Sequence, residues 1–395
     1  MTGPLDRAHK QALREALESG SPRDSVEALI RDRPELPQAV GRSWADGFGA
    51  DWIPPEIARL LVEHGAPLSV HAAARFGFSD VLTDLLRADA SLVHAKGGDG
   101  CRPLHFARNI ACAQLLLDGG ADVNARDDDH DSTPAQWRIG DQPDVSRYLL
   151  DRGATPDIFI AAALGDAELA GRLISENPEC PAYRIGRPPE FSPIGEGRGG
   201  TILQWSLAFN SYPHQIALLK GHHELFDLLY EHSNPRTRLL VNCVLARRAE
   251  AVDIVREHPD MVGHLPDVDL ELLPRYCWET NRNYEAVRLM LDLGFPVAKT
   301  ERSHGYSPLH NAAWSGDAAL VDLLISRGHP VDIVDPTYNA TPLGYAIHDC
   351  TVEKRHPEGE FARVAELLLR AGSSWNREIY PTGHAGLDAV LSRYK

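Results

Sequence analysis

The stretch SPLHNAAWSGDAALVDLLISRGHPVDIVDPTYNATPLGYA, residues 307–346, contains the pattern that decides the fold. It opens with Ser-Pro-Leu-His, continues through a double Leu and a Gly, and closes with a second Thr-Pro-Leu. The interval from Pro308 to Pro342 is 34 residues, and the interval from Pro103 to Pro134 is 31. Self-similarity at such a period is typical of repeat architectures, in which no unit buries its apolar face alone and neighbours stack into one core.

Each part of the pattern predicts a local structure. A Ser or Thr before Pro caps a helix, and Pro fits the first helical turn because the N–H that it lacks would have no partner there. The spacing of Leu320, Leu323 and Leu324 predicts a second helix with one buried stripe. Gly328, or Gly119 in an earlier copy, is expected to end that helix in the left-handed conformation. The apolar segment of the second helix recurs six times, at 60–68, 115–127, 149–157, 289–297, 323–335 and 367–376.

The period and the Thr/Ser-Pro-Leu-His signature resemble those of ankyrin repeats. The resemblance implies an all-α ankyrin-repeat solenoid, in which stacked helix pairs carry projecting fingers, with roughly nine or ten repeats, several of them degenerate. It also implies that His105 and His310 are structural, since this His bonds neighbouring loops in the family. The expected divisions are an N-terminal helical cap at 1–50, the solenoid at 51–376 with inserts at 181–200, 210–220 and 348–360, and a C-terminal capping helix at 377–395.

Composition narrows the classes of partner. The 395 residues carry 40 Lys and Arg against 56 Asp and Glu, which gives a formal net charge of −16. An acidic chain of this kind repels phosphate backbones, so a nucleic-acid partner is not expected. The N-terminal sequence lacks the apolar core of a secretory signal, and no apolar run is long enough to predict a membrane span. The six cysteines are scattered without a C-x-x-C pair, which favours thiols in a reducing cytoplasm.

The finger at 124–133, NARDDDHDST, departs from the plain repeat. We interpret it as having one extra residue, since an ordinary ankyrin finger would place a Gly near His130 or Asp131. It carries four carboxylates and an imidazole in a row: Asp127, Asp128, Asp129, His130 and Asp131. Such groups can ligate a divalent cation or support acid–base chemistry. The alternative is an acidic, solvated finger tip with one Asp capping the following helix. The candidate metal ligands are Asp129, His130 and Asp131, and the sequence predicts no particular metal.

Two Gln-Trp pairs form a second departure. Gln136-Trp137 follows the finger, and Gln204-Trp205 stands in the next segment of this type. At equivalent positions they would line a groove with an aromatic wall and an amide; the alternative is ordinary core packing. The predicted binding residues are Asp128, Asp129, His130, Gln136, Trp137, Gln204 and Trp205.

Long inserts form a third departure. The segment 181–200 is rich in Pro and Gly, and loops of this length are often lids or binding loops. The segment 210–220 is interpreted as an expansion that carries His214, a residue with no role in the consensus. Because packed helices lie about 8–10 Å apart, the finger and a helix at 201–210 are expected about 20 Å apart. Contact between His130 and His214 would then require the insert to fold back.

Two functions from different classes fit these features. The first is a protein-interaction scaffold or adaptor that uses the concave surface to bind a partner with a basic patch. The second is an enzyme or a metal- or small-molecule-binding protein with a site within 124–223, in which His130 acts as base or ligand, Asp129 or Asp131 orients it, and His214 assists. No cofactor motif is present, since the chain lacks the P-loop, H-E-x-x-H and G-x-S-x-G patterns.

Overall fold

The computed structural model of the chain describes residues 5–49, 52–187, 200–302 and 304–394, and it contains helices and no β-strand in those ranges. The residues form two units, Met1–Ser233 and Asn234–Lys395. The helices of the first unit are α1 Arg7–Leu17, α2 Pro22–Asp32, α3 Leu36–Ser43, α4 Pro55–Glu63, α5 Val70–Phe76, α6 Ser79–Ala88, α7 Ile110–Asp118, α8 Pro134–Arg138, α9 Pro143–Leu150, α10 Ile158–Leu164, α11 Ala167–Glu176, α12 Pro213–Leu219 and α13 His223–Glu231.

The helices of the second unit are α14 Pro235–Val244, α15 Arg248–Glu257, α16 Asp267–Leu270, α17 Leu272–Cys277, α18 Tyr284–Asp292, α19 Pro308–Trp314, α20 Ala318–Ser326, α21 Pro342–His348, α22 Phe361–Arg370 and α23 Ala385–Leu391. In this unit the first helices α17, α19 and α21 pack side by side, as do the second helices α20 and α22. The C-terminal helix α23 packs on α22. All-α stacking of helix pairs is therefore confirmed.

The start of each well-formed repeat follows the capping chemistry of the sequence. Ser307 Oγ accepts a hydrogen bond from the His310 N–H, while His310 Nδ1 accepts one from the Ser307 N–H. His310 Nε2 then lies 3.1 Å from the carbonyl oxygen of Ala340 in the next finger, and His105 Nε2 lies 3.3 Å from that of Ser132. The structural role expected for both histidines is confirmed.

The buried stripe of the second helix is also confirmed, since Leu320 and Leu324 are fully buried and Leu323 nearly so. Gly328 adopts the predicted left-handed conformation, with φ at 82°. The prediction for Gly119 is wrong, because this residue stays right-handed, with φ at −78°, and Gly120 takes the left-handed position. The capping turn thus lies one residue later.

The predicted insert at 210–220 is wrong. Its residues form α12, the first helix of a repeat, with Tyr212-Pro213 in place of Thr-Pro, and the Gln215 side chain accepts a hydrogen bond from the Tyr212 N–H. The insertion instead separates α11 from α12 and contains the segment 201–208. Residues 188–199 of the predicted insert at 181–200 lie outside the described residues.

Candidate functional site

Asp127 organises the finger at 124–133. Its side chain is buried, and Oδ1 accepts hydrogen bonds from the N–H groups of Asp129 and His130. Oδ2 accepts from the Ser132 N–H at 3.0 Å and from the Trp137 indole N–H at 2.9 Å. A carboxylate with this many donors holds a turn in shape, because each bond satisfies a polar group that would otherwise be buried without a partner.

The second unit contains a finger with the same construction. Asp335 accepts hydrogen bonds from the N–H groups of Thr337, Tyr338 and Ala340, and it precedes Thr341-Pro342 by the same interval as Asp127 precedes Thr133-Pro134. Asp131 and Asn339 occupy matching left-handed positions, with φ at 48° and 52°. The fingers at 124–133 and 332–341 therefore have the same length.

His130 occupies the end of the finger with both ring nitrogens directed to oxygen atoms. The imidazole is buried against the Trp137 ring, with the centroids 5.5 Å apart. Its Nδ1 lies 2.7 Å from the carbonyl oxygen of Gly200, which can only accept, so Nδ1 carries the proton. In the neutral ring, Nε2 then offers a lone pair, and it lies 3.6 Å from Asp129 Oδ2 and 3.9 Å from Asp99 Oδ2.

Asp99 completes this group, and the sequence analysis missed it. The carbonyl oxygen of Asp99 accepts a hydrogen bond from the Asp128 N–H at 2.8 Å, which ties the loop at 97–100 to the finger. Partial burial, and then the nearby carboxylate of Asp129, raise the pKa of Asp99. A signal was available: Asp99 precedes Pro103 by the interval at which His130 precedes Pro134, so repeat register brings the two together.

Potential ligand atoms of Asp99, Asp129 and His130 all lie within 4.8 Å of one another. Asp131, the third predicted ligand, instead lies with its carboxylate 3.3 Å from the Arg126 guanidinium. The geometry therefore brings together two of the three predicted ligands and replaces the third by a residue of the preceding finger.

The segment at 200–208 packs on this finger, although the sequence suggested a separation of about 20 Å. The Gly200 carbonyl oxygen accepts a hydrogen bond from the His130 Nδ1–H, and the Ile202 N–H donates to Ser132 Oγ at 3.1 Å. Gly140 leaves no space beside it, since a Cβ there would lie 2.7 Å from the Ser206 carbonyl oxygen. The separation was overestimated because the segment belongs to the long insertion, which returns to the finger.

The two Gln-Trp pairs occupy different environments. Trp137 is buried among the rings of Phe48, Phe106 and His130, which corresponds to the core-packing alternative and not to the wall of an open groove. Trp205 lies on the π-helical turn Gln204–Ala208, and 74% of its surface is exposed. The Trp137 indole N–H donates a hydrogen bond to the Asp127 carboxylate, which holds the ring over the core.

Among the other predicted residues, Gln136 uses its amide within the protein: its oxygen accepts from the Thr133 N–H, and its nitrogen donates to Asp157 Oδ2 at 2.9 Å. Asp128 stays exposed and forms an ion pair with Lys96. Gln204 is half-buried, close to Gly200.

His214 stands at the second position of α12, where α19 has Leu309. It is fully buried, its ring lies between those of Tyr212 and Phe226, and Nε2 lies 3.0 Å from Ser233 Oγ. These contacts belong to the core of the last helix pair of the unit. His130 is thus brought together with two carboxylates, whereas His214 packs in the interior.

The fold of an all-α repeat protein is defined by capped first helices, second helices with one buried stripe, and turns that form the fingers. Sequence models described as ankyrin repeats match residues 70–160, with three copies, and residues 279–325, so each unit contains a match. The chain therefore contains ankyrin repeats. A solved structure, the human ASB11 ankyrin repeat domain, aligns with 78% of this chain and 99% of its own length at 17% identity, with a TM-score of 0.28. Among the described helices, none combines the length and apolar character needed to cross a membrane.

Proposed function

We propose that the protein is an interaction scaffold that binds a protein partner through the fingers and first helices of its repeats, together with the insertion turn that packs on the finger at 124–133. Ankyrin repeats are in general protein–protein interaction modules. The observation that carries the proposal is Trp205, a large aromatic side chain left 74% exposed on a turn that packs against the finger. Trp is enriched among the residues that contribute most to binding, because it buries a large rigid surface in a complex.

The proposed partner presents a basic patch. The formal net charge of −16 supports this choice, since an acidic surface speeds the approach of a basic one and repels acidic competitors. Asp128, which is exposed on the finger at 124–133, and the half-exposed Asp129 are the proposed charged contacts, in addition to Trp205. The same charge argues against a nucleic-acid partner.

All six cysteines are free thiols, which supports a cytoplasmic setting.

The test is a comparison of full-length variants in capture of partners from a lysate, followed by titration of each captured protein. Trp205→Ala is expected to weaken binding tenfold or more, about the loss of a hot-spot residue. Ile110→Ala removes another exposed apolar side chain, on the first turn of the second helix α7, and should leave binding unchanged. Equal binding by the parent and the Trp205 variant would reject this surface as the interface.

A divalent metal site at Asp99, Asp129 and His130 is a second candidate function. At metal–ligand distances of about 2.1 Å, a tetrahedral site separates its ligand atoms by roughly 3.4 Å. The distances of 3.6 and 3.9 Å from His130 Nε2 to the two carboxylates are close to this value. The bond from Nδ1 to the Gly200 carbonyl supports the candidate further, because metal-binding histidines commonly donate their second N–H to such an acceptor.

Thermal unfolding with ZnCl₂, MnCl₂ or CaCl₂ tests the metal candidate. Binding to the folded state stabilises it by about 2.7 kcal/mol when the ion is at a hundredfold excess over its Kd. We expect such a shift in the parent and in Asp118→Asn, which changes an exposed carboxylate at the end of α7, and its loss in Asp129→Asn. If none of the three ions shifts the parent, or if Asp129→Asn keeps the shift, the candidate is rejected.

A further inference from the structure

The second unit contains a pocket on the side formed by its fingers and first helices. Its volume is about 470 Å³, within the range of ligand-binding pockets. It lies between α19 and α21, with finger residues and the segment at 353–355 along its edges. The aromatic side chains that line it are Trp278, Tyr306, Trp314, Tyr338 and Tyr345.

A glycine opens this pocket. Gly344 is the third residue of α21, and the same helical position holds His105, Gln136, Gln215 or His310 in four other repeats that begin with Pro. A Cβ at Gly344 would meet its nearest neighbours at 3.6 Å or more, which is ordinary contact, and the backbone there does not need glycine. The missing side chain therefore leaves space and relieves no strain.

The aromatic rings are arranged as walls around Tyr345. Its centroid lies 5.7 Å from that of Tyr306, 5.8 Å from that of Trp314 and 6.3 Å from that of Tyr338, with interplanar angles near 70° in each pair. Rings at such angles cannot collapse into one stack. Tyr338 is 68% exposed, so it borders the open side of the pocket.

Two carboxylates, Glu279 and Glu353, also line the pocket. Glu353 lies 3.1 Å from the guanidinium of Arg355, whose central carbon lies 5.8 Å from the centre of the Trp314 ring. The protein thus already places the guanidinium of Arg355 near an aromatic face, that of Trp314, and a carboxylate, that of Glu353. Such faces attract cations through the negative potential of the ring, and carboxylates add charge and hydrogen-bond acceptors.

We infer that this pocket receives an arginine side chain of the protein partner. The inference rests on the proposed interaction function and specifies the chemistry of one contact. A planar guanidinium stacks on an aromatic ring and donates to carboxylates in its plane at the same time, which an ammonium group does less well. The nearby donors Arg355 and His356 are already engaged by Glu353 and Glu279. An acidic side chain would therefore meet those two carboxylates, and an aliphatic one would cover them without bonding to them.

The probe is the blocked tripeptide acetyl-Gly-Arg-Gly-amide, titrated into the full-length protein by isothermal calorimetry or ligand-observed NMR. Matched peptides replace Arg by citrulline, which keeps the shape and removes the charge, or by Lys. We expect saturable binding of the Arg peptide, at least tenfold weaker binding of the citrulline peptide and at least threefold weaker binding of the Lys peptide. Failure of the Arg peptide to saturate, or equal affinity of either matched peptide, overturns the inference.

Two variants connect the binding to the pocket. Gly344→Gln restores the residue type of the other repeats without strain, so it should fold, fill the pocket and weaken binding at least tenfold. Arg355→Ala removes the internal guanidinium from Trp314 and should tighten binding about threefold. Unchanged binding by Gly344→Gln, or weaker binding by Arg355→Ala, contradicts the assignment. Ile110→Ala, in the other unit, should bind like the parent.

Failure of this inference is distinguishable from failure of the proposed function. A captured partner that depends on Trp205, together with no binding of the Arg peptide, rejects the arginine contact and leaves the interaction function in place. Binding of the Arg peptide that Gly344→Gln abolishes, with no Trp205-dependent partner, supports the pocket and rejects the interface proposed at Trp205.

Discussion

At the scale of single residues, buried polar side chains supply hydrogen bonds that the backbone of a short finger cannot make for itself. Asp127 gathers four donors around one carboxylate, and His105 joins the start of its own repeat to the next finger. In the second unit, Asp335 gathers three backbone donors, and His310 joins the start of its repeat to the next finger. The chemistry of the repeat therefore depends on a few side chains whose loss leaves buried partners unsatisfied.

Asp127→Asn should destabilise the finger by about 2–4 kcal/mol, because the amide turns an NH₂ group toward N–H donors. The measurement is native-state hydrogen exchange of the amides at 129–132, which reports local opening. Asp128→Asn changes an exposed neighbour with the same chemistry and should shift exchange by no more than about 0.5 kcal/mol. Equal effects of the two variants would contradict the role given to Asp127.

His105 makes the stability of the first unit depend on pH. Burial lowers the pKa of His105 from 6.5 to about 4, so the folded state holds the neutral ring while the unfolded chain takes up a proton below pH 6.5. Stability is therefore complete above pH 6.5 and is lost as the pH falls from 6.5 toward 4, by at most about 3 kcal/mol for this shift.

His105→Gln tests this dependence with a residue that already serves at the same helical position, as Gln136 and Gln215 do. The variant should fold, and its melting temperature should fall less than that of the parent between pH 7 and pH 4.5. Parallel curves for the two proteins would show that His105 does not contribute to acid destabilisation.

At the scale of elements, the informative feature is the insertion between α11 and α12. Helices and capped turns were predictable because local spacing and capping residues determine them. The return of the segment at 200–208 to the finger was not, since no local pattern records a contact between His130 and Gly200. The sequence suggested a first helix at 201–210. Residues of α12 were therefore interpreted as an expansion, and His214 as a residue with no role in the repeat. Asp99 was missed for a different reason: it belongs to the preceding finger, and the predicted ligands all came from the finger at 124–133.

Gly140 permits the close approach of the insertion. Gly140→Ala would place a Cβ 2.7 Å from the Ser206 carbonyl oxygen, so the turn that carries Trp205 must move away. We expect a shift in tryptophan emission and faster proteolysis near residue 205. Gly171→Ala is the matched control, because a Cβ in the middle of α11 meets nothing within 4 Å and should stabilise the helix by about 0.5–1 kcal/mol. Identical behaviour of the two variants would refute the contact.

At the scale of the whole molecule, the net charge of −16 opposes compactness through self-repulsion. The packing of the repeats and the shape of the pocket do not depend on this excess of negative charge. The rate at which a basic partner approaches does depend on it. Sequence composition was sufficient for this conclusion, because net charge is a sum over residues and does not require their positions. The shapes of the two candidate sites, in contrast, required the positions of side chains from different repeats.

Raising NaCl from 10 to 200 mM should therefore have opposite effects on stability and on binding. Screening reduces self-repulsion, so the melting temperature is expected to rise by a few degrees, while association with a basic partner is expected to slow at least threefold. Calorimetry and stopped-flow binding measure the two. A melting temperature that falls with salt would mean that attractive ion pairs outweigh repulsion in the folded state.

The contact between Gly200 and His130 also has a consequence for synthesis on the ribosome. Ordinary stacked repeats need only the next unit along the chain, so each can settle soon after it emerges. His130 and Ser132 must wait for partners 70 residues later, at Gly200 and Ile202. During that interval the imidazole is without its Gly200 acceptor, so the finger stays incompletely bonded while its neighbours can already pack. The finger is complete only after the eleventh helix and the insertion have left the exit tunnel.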